Sequence, residues 1–175
     1  ATPAGTFMMS QEKPTPLSAG EMAYHTVKCE KVHGLIVDPG ASEGLLGVDT
    51  LLEYQQEVLK DTPFADKVTF APSTQTFTGI DGETSPSLAR VTIPLGIEGL
   101  PDATFSADLI GDHGSRCPAL LSLSPMRRYK MGVLCGFLEN GGGLLAVKDQ
   151  KGVWKCFRLL LTDSGHYLWS RGNYK

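Results

Sequence analysis

The chain consists of short β-prone runs cut off by turn residues, and that alternation limits what it can fold into. Runs such as GLIVD, ARVTIPLGI, ATFSADLIG and VWKCFRLLL are each followed within three residues by Gly, Pro, Asp or Ser. Many short strands with turn signals between them build a closed barrel or a sandwich, so the expected class is all-β. Twenty glycines and eleven prolines in 175 residues supply the turns.

Read along the chain, residues 1–21 are rich in Pro, Ser, Thr and Gly without periodicity and read as a flexible lead-in. YHTVKCEKV and GLIVD are expected to pair as a first hairpin. In SEGLLGVDTLLEYQQEVLK, the near-helical spacing of Leu51, Leu52, Val58 and Leu59 predicts a short helix capped by Asp49 or Thr50. Asp81–Gly82, set between β-prone segments, predicts a hairpin, because a type I′ turn needs positive φ. The run Ala119 to Leu123 reads as a strand. Ser124 as N-cap, Pro125 at the first helical position and Gly132 beyond the end then punctuate a second short helix. VLCGFLENGGGLLAV reads as a hairpin turning at Asn140 to Gly143, and the stretch after Lys148 is β-prone again. No internal repeat is visible.

Composition removes several function classes. Lys and Arg number 16 against 19 Asp and Glu, a net charge of −3, with no basic face or like-charge block. Nucleic-acid binding is therefore not expected as the main task. No apolar run approaches the roughly 20 residues that cross a bilayer, so no membrane partner is expected. Four scattered cysteines without a C-x-x-C favour free thiols in a reducing, cytoplasmic setting. His25, Cys29 and His33 are spaced four apart. In an extended strand that spacing separates them by about 13 Å, too far for one zinc with bonds of about 2 Å. No metal or other cofactor is expected.

The chemistry-bearing stretch is HGLIVDPGAS. Three apolar residues, Leu35, Ile36 and Val37, deliver Asp38 to a Pro-Gly pair. Asp38 before proline is driven toward extended geometry, and Pro39–Gly40 suits the centre of a type II turn. The stretch is therefore either a plain β-turn or a strand end that presents a carboxylate.

An apolar strand ending in Asp-x-Gly-Ala-Ser, a Gly-containing hairpin and a later apolar strand running into a short helix together resemble a retropepsin-type aspartic protease. PALLSLSPMRRYKMGVLCGFLENGGG is especially similar to the closing segment of copia-type retrotransposon proteases. The resemblance spans about residues 22–147 and leaves 148–175 as a β-prone extension or linker. It implies an acid-protease closed barrel with one or two short helices, working as a homodimer. Asp38 would be the catalytic carboxylate, with Pro39, Gly40, Ala41 and Ser42 forming its loop. Phe77, Ile80, Asp81 and Gly82 would belong to the hairpin that covers a peptide or polyprotein substrate.

Asp112 and Asp163, in DHG and DSG, are the within-chain candidates for a second carboxylate, and both read as loop residues. The family has Thr or Ser where this chain has Pro39, which offers neither hydroxyl nor N–H to lock two loops together. That departure keeps two rivals open: a catalytically silent dimerisation or peptide-binding module of the same fold, and an unrelated β-barrel binding module. Arg127 and Arg128 read as a solvated helix face, Trp154 and Trp169 as packing residues, and His166 as lacking a visible acid or nucleophile partner.

Overall fold

The computed structural model describes residues 23–78 and 82–171; the lead-in segment, Ile80 and Asp81 lie outside the described residues. Strands dominate, helices are few, and one sheet curls into a half-barrel. β1 (Thr26–Val27) and β2 (Glu30–Lys31) form a minimal hairpin. β3 (Gly34–Val37) is separate from it, which corrects the expected first hairpin. β4 (Leu45–Gly47) runs into helix α1 (Val48–Tyr54), continued by a π-helical turn over Gln55–Leu59. Then come β5 (Thr69–Ala71), β6 (Thr76–Thr78), β7 (Thr84–Pro86), β8 (Ala89–Pro94) and β9 (Thr104–Ile110). β10 (Leu120–Leu121), helix α2 (Leu123–Arg128) and β11 (Gly132–Leu134) follow. β12 (Gly143–Lys148), β13 (Trp154–Leu161) and β14 (Tyr167–Ser170) complete the described chain.

A six-stranded sheet has the order β10-β3-β14-β13-β12-β11, and a four-stranded sheet the order β4-β9-β8-β5. Two pairings are parallel: β10 with β3, matching Leu120 to Ile36, and β4 with β9, matching Leu45 to Asp108. Parallel strands are usually covered on both faces and therefore read as unbroken apolar runs. β3 obeys that rule. Leu35 enters the main core with Leu121, Phe105 and Trp169, whereas Ile36 enters a smaller cluster with Ala41, Leu45, Cys117, Leu120 and Leu168. Both side chains are 1 % exposed, and each such burial contributes about 1.5–3 kcal/mol.

The segment after Lys148, expected as an extension or linker, is part of the main sheet. The anticipated boundary at 147/148 falls inside β12, and β14 lies between β3 and β13, pairing Leu168 with Ile36. Trp169 packs on Phe157 at 5.2 Å as expected, but Trp154 is half exposed, with the Lys148 ammonium 5.1 Å above its ring.

Both helix starts differ from expectation. The N-cap of α1 is Gly47, without a side-chain bond, while Asp49 accepts the Ser115 hydroxyl at 2.9 Å. Leu51 and Tyr54 face the core from α1, and Leu52 is exposed. α2 starts two residues earlier than Ser124 and Pro125 suggested: Ser122 is its N-cap, again without a side-chain capping bond.

Candidate functional site

Asp38 sits immediately beyond β3 and is 5 % exposed. Its backbone N–H donates to the Leu121 carbonyl at 3.0 Å, extending the parallel register past the strand end. The Ala41 N–H donates to the Asp38 carbonyl at 3.1 Å, and the Gly40 N–H donates to Asp38 Oδ1 at 3.1 Å. D-P-G-A is thus a β-turn, with an added side-chain bond typical of Asp at the first turn position. Gly40 is not among the glycines with positive φ, so the expected type II geometry is not formed. The turn reading and the buried-carboxylate reading hold together here.

The Leu123 N–H donates to the Ala41 carbonyl at 2.9 Å, which ties the loop to the start of α2. Pro39, Gly40 and Ser42 are exposed, while Asp38 and Ala41 are buried. The turn therefore offers a solvent-facing tip above a covered carboxyl group. Two neighbours sense its charge. Burial, and then the Asp38 charge, pushes the Cys117 thiol up to about 12. The same two causes, in the same order, raise the Tyr24 phenol. An uncharged thiol with 3 % exposure is a poor nucleophile. Alkylation at neutral pH should accordingly label the exposed Cys29, Cys135 and Cys156 and reach Cys117 only as the chain unfolds. Peptide mapping after a short pulse of iodoacetamide checks this, and prompt labelling of Cys117 in the folded chain would contradict the packing described.

Of the residues expected to cover a substrate, Phe77 and Gly82 are described. Phe77 is partly buried against the cluster of Ile36, Ala41, Leu45 and Leu120, and Gly82 has φ +82° in the turn between β6 and β7. The hairpin pairs Phe77 with Ser85 and forms no larger sheet. The Asp38 loop and the Phe77 side chain therefore share one apolar floor.

The other candidates serve different ends. Asp163 accepts the Thr26 hydroxyl at 2.6 Å and the N–H groups of Lys28 and Cys29 at 2.8 and 2.9 Å. Those bonds, led by Thr26, lower its pKa and hold the β1–β2 turn, where Lys28 and Cys29 have positive φ. Asp112 lies in a single 3-10 turn with φ +47°. His33 is bonded to Glu57 at 2.7 Å, while Cys29 belongs to the β1–β2 turn. His166 has partners that the sequence did not reveal: Ser164 Oγ at 3.0 Å from its Nδ1, and the Tyr24 ring at 4.7 Å.

Sequence reasoning missed Asp108 altogether. It is 1 % exposed and is bonded by Ser73, Ser87 and Arg90. A signal was available: a carboxylate inside the apolar run SADLIG, with Arg90 on the neighbouring strand, asks for a cross-strand ion pair. A cavity of about 610 Å³, bordered by Leu35, Phe105, Leu121, Arg128 and Trp169, lies on the opposite face of β3 from Ile36, and Asp38 does not line it. Comparison of the chain with protein-family models, with curated proteins and with solved structures gives no match.

Proposed function

We propose that the chain is an aspartic endopeptidase of retropepsin type, with a closed-barrel acid-protease core, whose active site forms when two copies bring their Asp38 loops together. The observation that carries this reading is the position of Asp38: a buried carboxyl at the end of a core strand, beside a parallel partner, under an exposed turn tip. A plain surface turn would leave its aspartate in water.

The chemistry needs a pair of carboxylates. A water held between them attacks the peptide carbonyl; the ionised carboxylate accepts a proton from that water, and the protonated one donates a proton toward the substrate. Two carboxyls about 3 Å apart cannot both ionise, so the pair shares one proton and titrates with two apparent values that belong to the pair. The buried cluster of Ile36, Ala41, Leu45 and Leu120 supports the Asp38 loop and the Phe77 side chain from beneath. Phe77 and Gly82 lie on the hairpin that would pair with its backbone. The substrate is a peptide or polyprotein, no metal or organic cofactor takes part, and a reducing cytoplasm suits three exposed thiols.

Pro39 supports a second reading, a silent module of the same fold, because it cannot supply the hydroxyl and N–H that would lock two loops. The test combines sedimentation with cleavage of a mixed peptide library at mildly acidic pH. Under the first reading a dimer forms, a statyl-type inhibitor stops cleavage, and specific activity falls on dilution. A dimer that cleaves nothing favours the silent module. A strict monomer with dilution-independent activity overturns the shared-site mechanism.

A further inference from the structure

The β6–β7 hairpin is a two-stranded ribbon outside both large sheets, and Thr76, Thr78, Thr84 and Pro86 on it are exposed. A ribbon of this kind has little stability of its own. Its orientation must be fixed at its base. Ser73, three residues before β6, donates its hydroxyl to Asp108 Oδ1 at 2.6 Å. Ser87, immediately after β7, donates its hydroxyl to the same oxygen at 2.9 Å and also lies 3.1 Å from the Ala89 carbonyl. The Ser87 N–H meets the Gln75 carbonyl at 2.8 Å, closing the base of the ribbon below its first strand pair.

One oxygen thus holds both legs of the hairpin. The other, Oδ2, accepts from Arg90 at 2.9 Å; Arg90 stands directly across from Asp108 in the β8–β9 register. The guanidinium fixes the carboxyl plane so that Oδ1 faces the two serines. β9 is the parallel partner of β4, whose Leu45 belongs to the floor beside Asp38. The anchor and the candidate catalytic loop are therefore built on one framework.

We propose that Asp108 is a positioning residue. Through Ser73 and Ser87 it sets the angle of the β6–β7 strands, and so the placement of Phe77 over the Asp38 side of the molecule. This rests on the reading of Asp38 as catalytic only where substrate is concerned; the anchoring itself can be measured without any substrate. The fully buried Asp108 and its two hydroxyl donors make the hairpin base a pinned hinge rather than a free elbow.

The deciding measurement is hydrogen exchange on the full chain carrying Ser73→Ala with Ser87→Ala. Amides of residues 76–78, 84 and 85 should exchange about a hundredfold or more faster, the scale of losing two hydrogen bonds to a charged group. Protection in β12 and β13 should stay as in the parent. Ser73→Thr with Ser87→Thr, which keeps both hydroxyls, should restore protection. In a peptidase assay the alanine pair should raise KM by a similar factor and leave kcat nearly unchanged. Unchanged exchange in the hairpin, or acceleration spread evenly over the whole chain, overturns the proposal. Asp108→Asn should loosen the same amides, and if that variant does not fold the serine pair still decides. A chain that cleaves nothing but shows the localised exchange would retire the catalytic reading and leave the anchor standing.

Discussion

If two Asp38 loops form the proposed site, Asp38→Asn should remove peptide cleavage while leaving the fold and the pairing of chains in place. The change is isosteric, and the Gly40 N–H can still donate to the side-chain oxygen as it does to Oδ1 at 3.1 Å. What disappears is the group that takes and returns a proton, worth about 10²- to 10⁴-fold in rate. Because every dimer of the variant lacks both carboxylates, the upper end of that range is expected. Mixing makes the prediction sharper. If the two protomers exchange freely and each site needs both aspartates, an equal mixture of parent and variant keeps only about a quarter of the parent activity, since random pairing makes one dimer in four fully parental. A fall to one half would mean that each chain works alone, and the shared-site mechanism would have to go.

Gly47→Ala should produce a large loss of stability from a single added methyl group. A β-carbon at Gly47 would stand 2.2 Å from the Ser115 carbonyl oxygen and 2.6 Å from the Cys117 nitrogen, both main-chain atoms that no rotamer change can move. The backbone conformation is not the obstacle, since φ is −74°. Room is. The Gly47 N–H also bonds the Cys117 carbonyl at 2.9 Å, so relief by displacement breaks the contact that carries the loop before β10. Overpacking of this kind costs about 3 kcal/mol, or roughly 6–12 °C in Tm for a chain of this size. Gly82→Ala is the control: it meets nothing within 4 Å and suffers only from its φ of +82°, for about 1 kcal/mol. Thermal melts of the two variants side by side check the order, and equal losses would refute the steric account.

The parts of the molecule set by local chemistry were legible in the sequence. Leu35, Ile36 and Val37 announce a strand buried on both faces, and Asp38 before Pro39 announces its end. Pro125 marks a helix, and Gly82 marks the hairpin turn with the positive φ that the sequence requires. The parts set by partners far along the chain were not. Nothing in TDSGHYLWS says that Trp169 will pair with Leu35, because β-prone runs do not encode which neighbour they choose. Ser124, with Pro125 after it, has the stronger local signal for the start of α2, yet the chain turns into the helix at Ser122, directly after β10. His166 looked isolated because its aromatic neighbour, Tyr24, belongs to the other end of the described chain. Asp108 escaped for a different reason. The period-two pattern of ATFSADLIG explains its placement as an outward residue, and only the convergence of Ser73, Ser87 and Arg90 explains why it is buried.

The place of β14 beside β3 bears on how the protein is made. The strand that presents Asp38 gains its second neighbour from the last described stretch of the chain, so contacts about 130 residues apart must close before that strand is seated. Long-range pairing of this sort is slow to form, and during synthesis it must wait until β14 has left the ribosome. If Asp38 is catalytic as proposed, a half-made chain should be unable to digest itself or its neighbours. The order of translation would act as a timer on activity, with no separate inhibitor required.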